Sequence, residues 1–231
     1  MSSSADNDML PVIRIAAPAK ATASMIIVHG LGDSGEGWTF MSDMFHQHDE
    51  FKHINFIFPS APEKPLYVNG NQPVARWFNI YEFGNPFGKQ DEEGYWKSCK
   101  YIDSLVKKEI DAGISSDRIV VGGFSQGAVL SLGLAASCEH KLGSIVNMSG
   151  IFAMRKALDK HLNDNNKETP IFHGHGDLDP VFNVQYARDT AELFKSLGFK
   201  NYDYHEYVGM VHTTCPDELR DIANFVKRTI P

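Results

Sequence analysis

Six short apolar runs alternate with helix-patterned stretches, and this alternation restricts the fold more than any other feature. The runs are Ser24 to Val28, Ile54 to Phe58, Arg118 to Gly122, Ser144 to Met148, Pro170 to His173 and Tyr202 to Val208. Four are almost continuously apolar, as strands covered on both faces must be. The first stretch between them, 91–112, carries Tyr95, Ile102, Leu105, Val106 and Ile110 at helical spacing and stops at Gly113. The stretch 126–138 is small and apolar throughout, which predicts a buried helix. A third helix is predicted over 184–197, ending at Gly198, and a fourth over 216–229, opening with Pro-Asp-Glu. Strand and helix in repeated succession predict an α/β architecture, a mostly parallel central sheet with helices on both faces. The 231 residues contain no internal repeat and no linker, so 1–231 reads as a single domain, with 1–10 expected to be a flexible N-terminal segment.

Composition removes several classes of function. Lysine and arginine number 22 against 29 acids, a net charge of −7. That leaves no basic surface for a nucleic-acid backbone and no polybasic membrane patch. No apolar run approaches the roughly 18 residues of a membrane span, so no integral membrane association is expected. Met1 to Asp8 is polar and acidic, unlike a secretory signal. Ser2 excludes N-myristoylation, and Thr229-Ile230-Pro231 is no prenylation box. Cys99, Cys138 and Cys215 are odd in number and widely spaced, which suits free thiols in a reducing compartment. The sequon Asn147-Met148-Ser149 ends an apolar run and reads as chance.

The chemistry concentrates in Gly123-Phe124-Ser125-Gln126-Gly127, a G-x-S-x-G motif. A strand at 119–121 precedes it and a small-residue helix follows, the setting of a nucleophile elbow. The glycines permit a tight turn, and the helix N-terminus points at the serine, where negative charge develops. A serine nucleophile needs a base, and the base needs an orienting carboxylate. In this architecture the chain order is serine, acid, histidine. Ser125, Asp179 and His212 fit that order, and the last two sit just past strand ends. Asp177 competes with Asp179, although Asp179 lies further from its strand and precedes Pro180.

Other patterns compete for attention. His173, His175, Asp177 and Asp179 suggest a metal site but crowd one short segment without a distant ligand. His46, His48, His53, His140, His161 and His205 have polar neighbours in sequence and read as surface residues. Ser104 to Lys107 matches S-x-x-K without its companion motifs. Gly30-Leu31-Gly32-Asp33-Ser34-Gly35 is a literal G-x-G-x-x-G, with Asp49 about 20 residues on. A ribose-binding acid belongs at the end of the second strand, whereas Asp49 precedes Ile54. The same residues serve better as an oxyanion loop, with the Leu31 and Gln126 amides as donors. Residues 60–89, rich in proline and aromatics, form a long excursion without periodicity, the kind of segment that is often functional.

Four blocks together, His29 to Asp33, Gly122 to Gly127, His173 to Pro180 and Gly209 to His212, resemble the signature blocks of the acyl-protein thioesterases. These belong to the phospholipase/carboxylesterase branch of the α/β-hydrolases. The match runs in register from about Ile26 to the C-terminus, and Pro59 to Pro62 and Trp77 to Ile80 also resemble the family. The resemblance implies an α/β-hydrolase fold and Asp179 as the triad acid. It implies hydrolysis of the thioester joining a fatty acyl chain to a protein cysteine, with lysophospholipids and simple esters as side substrates. It further implies no cofactor and cytosolic or cytosolic and nuclear residence; no metal is expected, and a weak homodimer is left open. The interval from Ser125 to Asp179, 179 − 125 = 54 residues, leaves no room for a large lid domain. An acyl channel is expected from the excursion, with Leu66, Trp77 and Phe78 as substrate-binding candidates in the stretch to Phe87, and from Ile151 and Phe152. One departure stands out: where the family continues Asp-Pro with Val-Val-Pro or Leu-Val-Pro, this chain reads Val181-Phe182-Asn183. The shape of the rim beside the acid is therefore open. Two other readings use the same residues: a carboxylesterase or lysophospholipase without protein substrates, and a hydrolase-fold binding module, which a complete triad disfavours.

Overall fold

A computed structural model describes residues 10–86 and 88–231. The expectation of a flexible start therefore falls, Leu10 apart, outside the described residues, as does any part played by Phe87 in the channel. Among the described residues nine strands are seen: β1 Val12–Ile15, β2 Ala23–Val28, β3 Ile54–Pro59, β4 Glu63–Leu66, β5 Gln72–Ala75, β6 Ile119–Phe124, β7 Ser144–Met148, β8 Ile171–Gly176 and β9 Tyr202–Tyr207. The helices are α1 Phe40–His46, α2 Glu92–Asp111, α3 Gln126–Ser137, α4 Val184–Ser196 and α5 Pro216–Thr229. Seven strands form one sheet in the order β1-β3-β2-β6-β7-β8-β9, and β4 pairs with β5 in a separate hairpin. All neighbours in the large sheet run parallel except β1, which lies antiparallel on β3.

Side chains alternate across each strand and so feed two cores. Ile26, Val28, Val121, Ile145 and Ile171 face α2, α3 and α4, meeting Ile102, Leu130 and Phe194. Met25, Ile27, Val120, Val146 and Phe172 face the other way, onto Phe45 of α1 and Phe225 of α5. A strand buried on both faces has no polar side to show, which is why β2, β7 and most of β6 read as mainly apolar runs, broken only by small or amide side chains such as Ser24, Ser144 and Asn147.

The six predicted strands and four predicted helices are all present, with ends displaced by at most a few residues. β1, the β4–β5 hairpin and α1 were not predicted. β1 is four residues on the sheet edge, half-buried, and its pairing partners are 41 to 47 positions away, so nothing local announces it. The histidines expected at the surface divide. His46 bonds the Ile54 carbonyl at 2.9 Å, His161 stacks on Trp96 at 3.8 Å and His205 stacks on Phe172. Polar neighbours in sequence do not keep a ring in water when an aromatic lies beneath it. Asn147 of the sequon is fully buried.

Candidate active site

β6 runs up the middle of the sheet between β2 and β7 and turns sharply at Ser125 into α3. Ser125 has φ +52° and ψ −116°, strained for a residue with a side chain. The turn closes only because its flanks lack side chains. A Cβ at 123 would sit 2.4 Å from the Gly127 carbonyl carbon, and one at 127 would sit 1.9 Å from the Val28 oxygen. The helix begins at Gln126, so its first amides have no acceptor within the helix and face the serine.

The other components arrive at the same sheet edge. Leu31 follows β2, Asp179 follows β8 and His212 follows β9, all at C-terminal strand ends. His212 Nε2 lies 2.9 Å from Ser125 Oγ, and Nδ1 lies 2.7 Å from Asp179 Oδ2. A carboxylate can only accept, so Nδ1 carries the proton and the Nε2 lone pair faces the serine hydroxyl. The other oxygen of Asp179 accepts from the Val181 and Phe182 amides at 2.8 and 2.9 Å. Burial pushes the Asp179 carboxyl up, but the bonds from His212 and these amides outweigh it and hold the acid below the usual range. Asp177 does something else: its Oδ1 accepts from the Gly209 amide at 2.7 Å and pins the turn that leads to His212.

Aromatic rings hold the imidazole in place. Phe124, the variable residue of the elbow, lies 4.9 Å from His212, and Phe182 meets it edge-on at 5.7 Å. The departure at 181–183 thus acquires specific roles. Val181 and Phe182 line the cleft beside Ser125, and Asn183 caps α4 by accepting from the Gln185 amide.

The loop after β2 is built on His29. Its Nδ1 donates to the Gly30 carbonyl at 2.6 Å, and its Nε2 accepts from the Ala61 amide at 2.9 Å, so the ring is neutral. Burial lowers its pKa and supports the same state. Gly32 takes φ +77° and donates to Ala75 of β5, and Asp33 accepts from Trp38 Nε1. Asp49, the acid that a dinucleotide site would have used, is an exposed partner of Lys52. Among the described residues the Leu31 amide has no protein acceptor and stays free for a ligand.

An apolar cleft opens from Ser125, lined by Leu31, Phe78, Val129, Ile151, Met154 and Phe182 among others. Phe78 and Ile151 are thus placed as expected of channel residues. Trp77, Leu66 and Phe152 are not. Trp77 is turned away, its Nε1 donating to the His29 carbonyl and its ring stacked near Tyr101. Leu66 is buried at the end of β4, outside the cleft, and Phe152 packs into the core against Phe194. The Gln126 side chain clasps the excursion to the elbow, accepting from the Trp77 amide at 3.0 Å and donating to the Phe78 carbonyl at 3.1 Å. Among the described residues no three His, Cys, Asp or Glu side chains are grouped to hold a metal ion. His173 bonds Tyr202 instead.

The chain resembles known proteins over nearly its whole length. Residues 10–230 match the model of a family described as phospholipase/carboxylesterase. An acyl-protein thioesterase 1 from Debaryomyces hansenii is 44% identical, over 95% of this chain and 97% of its own. One from Saccharomyces cerevisiae is 42% identical, over 94% and 98%. Among solved structures, Arabidopsis thaliana SOBER1 superposes with a TM-score of 0.84 at 25% identity, covering 90% of this chain and 99% of that one. Zea mays acyl-protein thioesterase 2 superposes at 0.83 and 22% identity, covering 96% and 100%, a likeness of fold.

Proposed function

The chain belongs to the phospholipase/carboxylesterase family, and from that premise we propose that it is a serine hydrolase that removes fatty acyl groups from S-acylated proteins. The thioesterase reading is supported by the full-length likeness to curated acyl-protein thioesterases. The observation that carries the chemistry is the relay Ser125–His212–Asp179 at the mouth of an apolar cleft.

In this reading His212 Nε2 takes the Ser125 proton as Oγ attacks the thioester carbonyl carbon. Asp179 keeps the imidazole in the needed tautomer and stabilises its cation. The Leu31 and Gln126 amides receive the developing oxyanion, each worth about 2.7–4 kcal/mol. The carbon–sulfur bond then breaks. His212 gives its proton to the departing sulfur, which leaves as a thiol and, with an ordinary pKa near 8.5, needs less protonation help than an amine would. Water, deprotonated by His212, attacks the acyl-enzyme and releases the fatty acid, restoring Ser125. The acyl chain lies along Phe78, Val129, Ile151 and Met154, while the protein part stays outside, since among the described residues no large lid domain covers the cleft. Lysophospholipids are slower substrates in this reading, because the same relay serves oxygen esters. The three free cysteines fit work in the cytosol or nucleus.

Ser125→Ala should abolish hydrolysis of p-nitrophenyl esters and acyl thioesters while leaving the circular dichroism unchanged; retained turnover would end the assignment. The substrate class is read by comparing kcat/KM for a palmitoylated peptide thioester and for lysophosphatidylcholine. A preference for the peptide is expected, and the reverse order would make the protein a lysophospholipase.

A further inference from the structure

One buried acid next to the relay has no part in the hydrolysis. Glu218, the third residue of α5, is fully buried, and neither carboxyl oxygen has a hydrogen-bond partner. An acid at that helical position commonly reaches back to the capping residue's amide. Here the amide of the capping residue, Cys215, is near enough to favour the anion but makes no full hydrogen bond, and the carboxyl lies against the sheet. A Cβ built on Gly174 of β8 would sit 2.2 Å from Glu218 Oε1, so the carboxyl occupies the space that a side chain at 174 would need. Two residues on, a Cβ at Gly176 would sit 2.0 Å from the Met210 carbonyl oxygen. Positions 174 and 176 share one face of β8. The segment 210–218, with His212 inside it, therefore rests at both ends on glycines of the strand that leads into the Asp179 loop. One seat is made by backbone, the other by the Glu218 carboxyl.

We propose that Glu218 is a positioning residue: its carboxyl, wedged on Gly174, sets the spacing between the start of α5 and the end of β8 and so keeps His212 in line between Asp179 and Ser125. The inference rests on the relay reading above. The wedge works in its neutral form. Burial first, and then the Asp221 carboxylate, push the Glu218 acid up to about 8, against the Cys215 amide, which favours the anion. The titratable groups facing it are Asp221 on α5, Cys215 at the cap of that helix and Tyr207 from β9, whose hydroxyl donates to Asp221 at 2.9 Å; β8 presents bare Gly174. None is a cation. With its folded value above 4.5, the acid gives its full contribution to stability below that pH. The contribution declines as pH rises and is gone above about 8. Ionised and unpaired, the carboxylate is relieved only when the start of α5 moves toward water, and His212 moves with it.

The test compares wild type with Glu218→Gln, following kcat and KM for p-nitrophenyl butyrate from about pH 6 to about pH 9.5. Wild type is expected to lose kcat with an apparent pKa near 8, with KM little changed. Glu218→Gln is expected to stay within about threefold of wild-type kcat near pH 7 and to lack that alkaline limb, because an amide keeps the shape without titrating. The same limb in both proteins overturns the proposal. Should Glu218→Gln not fold, Gly174→Ala replaces it: the added Cβ displaces the wedge and should lower kcat by at least about tenfold, and wild-type kcat there overturns the proposal. The rate at which a fluorophosphonate labels Ser125 in wild type needs no variant. It should fall through the same pH range, and a flat rate is contrary to the proposal. No labelling at any pH would instead sink the relay reading, leaving the pH dependence of Tm in wild type and Glu218→Gln to report on the wedge alone.

Discussion

Asp177 and Asp179 stand two positions apart in one loop and have unrelated partners. Asp179 meets His212 and two backbone amides, while the Asp177 carboxylate accepts from the Gly209 amide of the neighbouring turn. Asp179→Asn should therefore lower kcat by about 10⁴-fold, since an amide can present a donor to Nδ1 and invert the tautomer. Asp177→Asn should stay within about tenfold of wild-type kcat and lose about 1 kcal/mol of stability. Steady-state kinetics beside urea unfolding separates the two, and the opposite pattern would exchange their roles. Gln126 makes a comparable argument. Its side chain satisfies the Trp77 amide and the Phe78 carbonyl, so Gln126→Ala leaves both buried groups unpaired at a cost of about 1–3 kcal/mol. Its backbone amide survives the change. We expect KM for long-chain thioesters to rise more than kcat falls, because the wall carrying Phe78 loosens while the relay does not.

At the scale of elements, the sharpest constraint is the seating of α3 on β2 and β6. Gly127 brings the helix so near β2 that any side chain there meets the Val28 carbonyl, a backbone atom that cannot swing aside. Gly127→Ala should thus cost about 3 kcal/mol or more by denaturant unfolding, at the upper end of overpacking penalties. The elbow was legible because its chemistry is local: strand, tight turn and buried helix occupy consecutive residues. β1 and the β4–β5 hairpin were not, because each is short, half-exposed and defined by its pairing partner. α1 is a seven-residue helix, too short for its periodicity to stand out.

Over the whole molecule, burial sorts the thiols. Cys99 and Cys138 lie in the core, and burial pushes both up, Cys138 to about 12. Cys215 alone is partly exposed. Ellman's reagent should accordingly titrate about one thiol in the folded chain and all three after denaturation. Stability should also fall on the acid side. The folded value of Asp179 lies below 3.8, so its contribution is present above 3.8 and is lost as the pH falls through that lower value. The Tm of Asp179→Asn should vary less with pH in that acid range than the Tm of wild type.

The sequence by itself determined the alternation of elements, the elbow serine and the order of the three relay residues. Each is written in neighbouring side chains: apolar period, turn glycines and strand ends carry their information within about ten residues. Tertiary structure alone decided what Asp177 does in place of meeting His212, that Trp77 and Leu66 face away from the cleft while Phe78 faces in, and that Glu218 sits on Gly174. Those outcomes depend on which surfaces of β8, β9 and α5 come together, and residues that share a loop can face opposite ways once the sheet has chosen its neighbours.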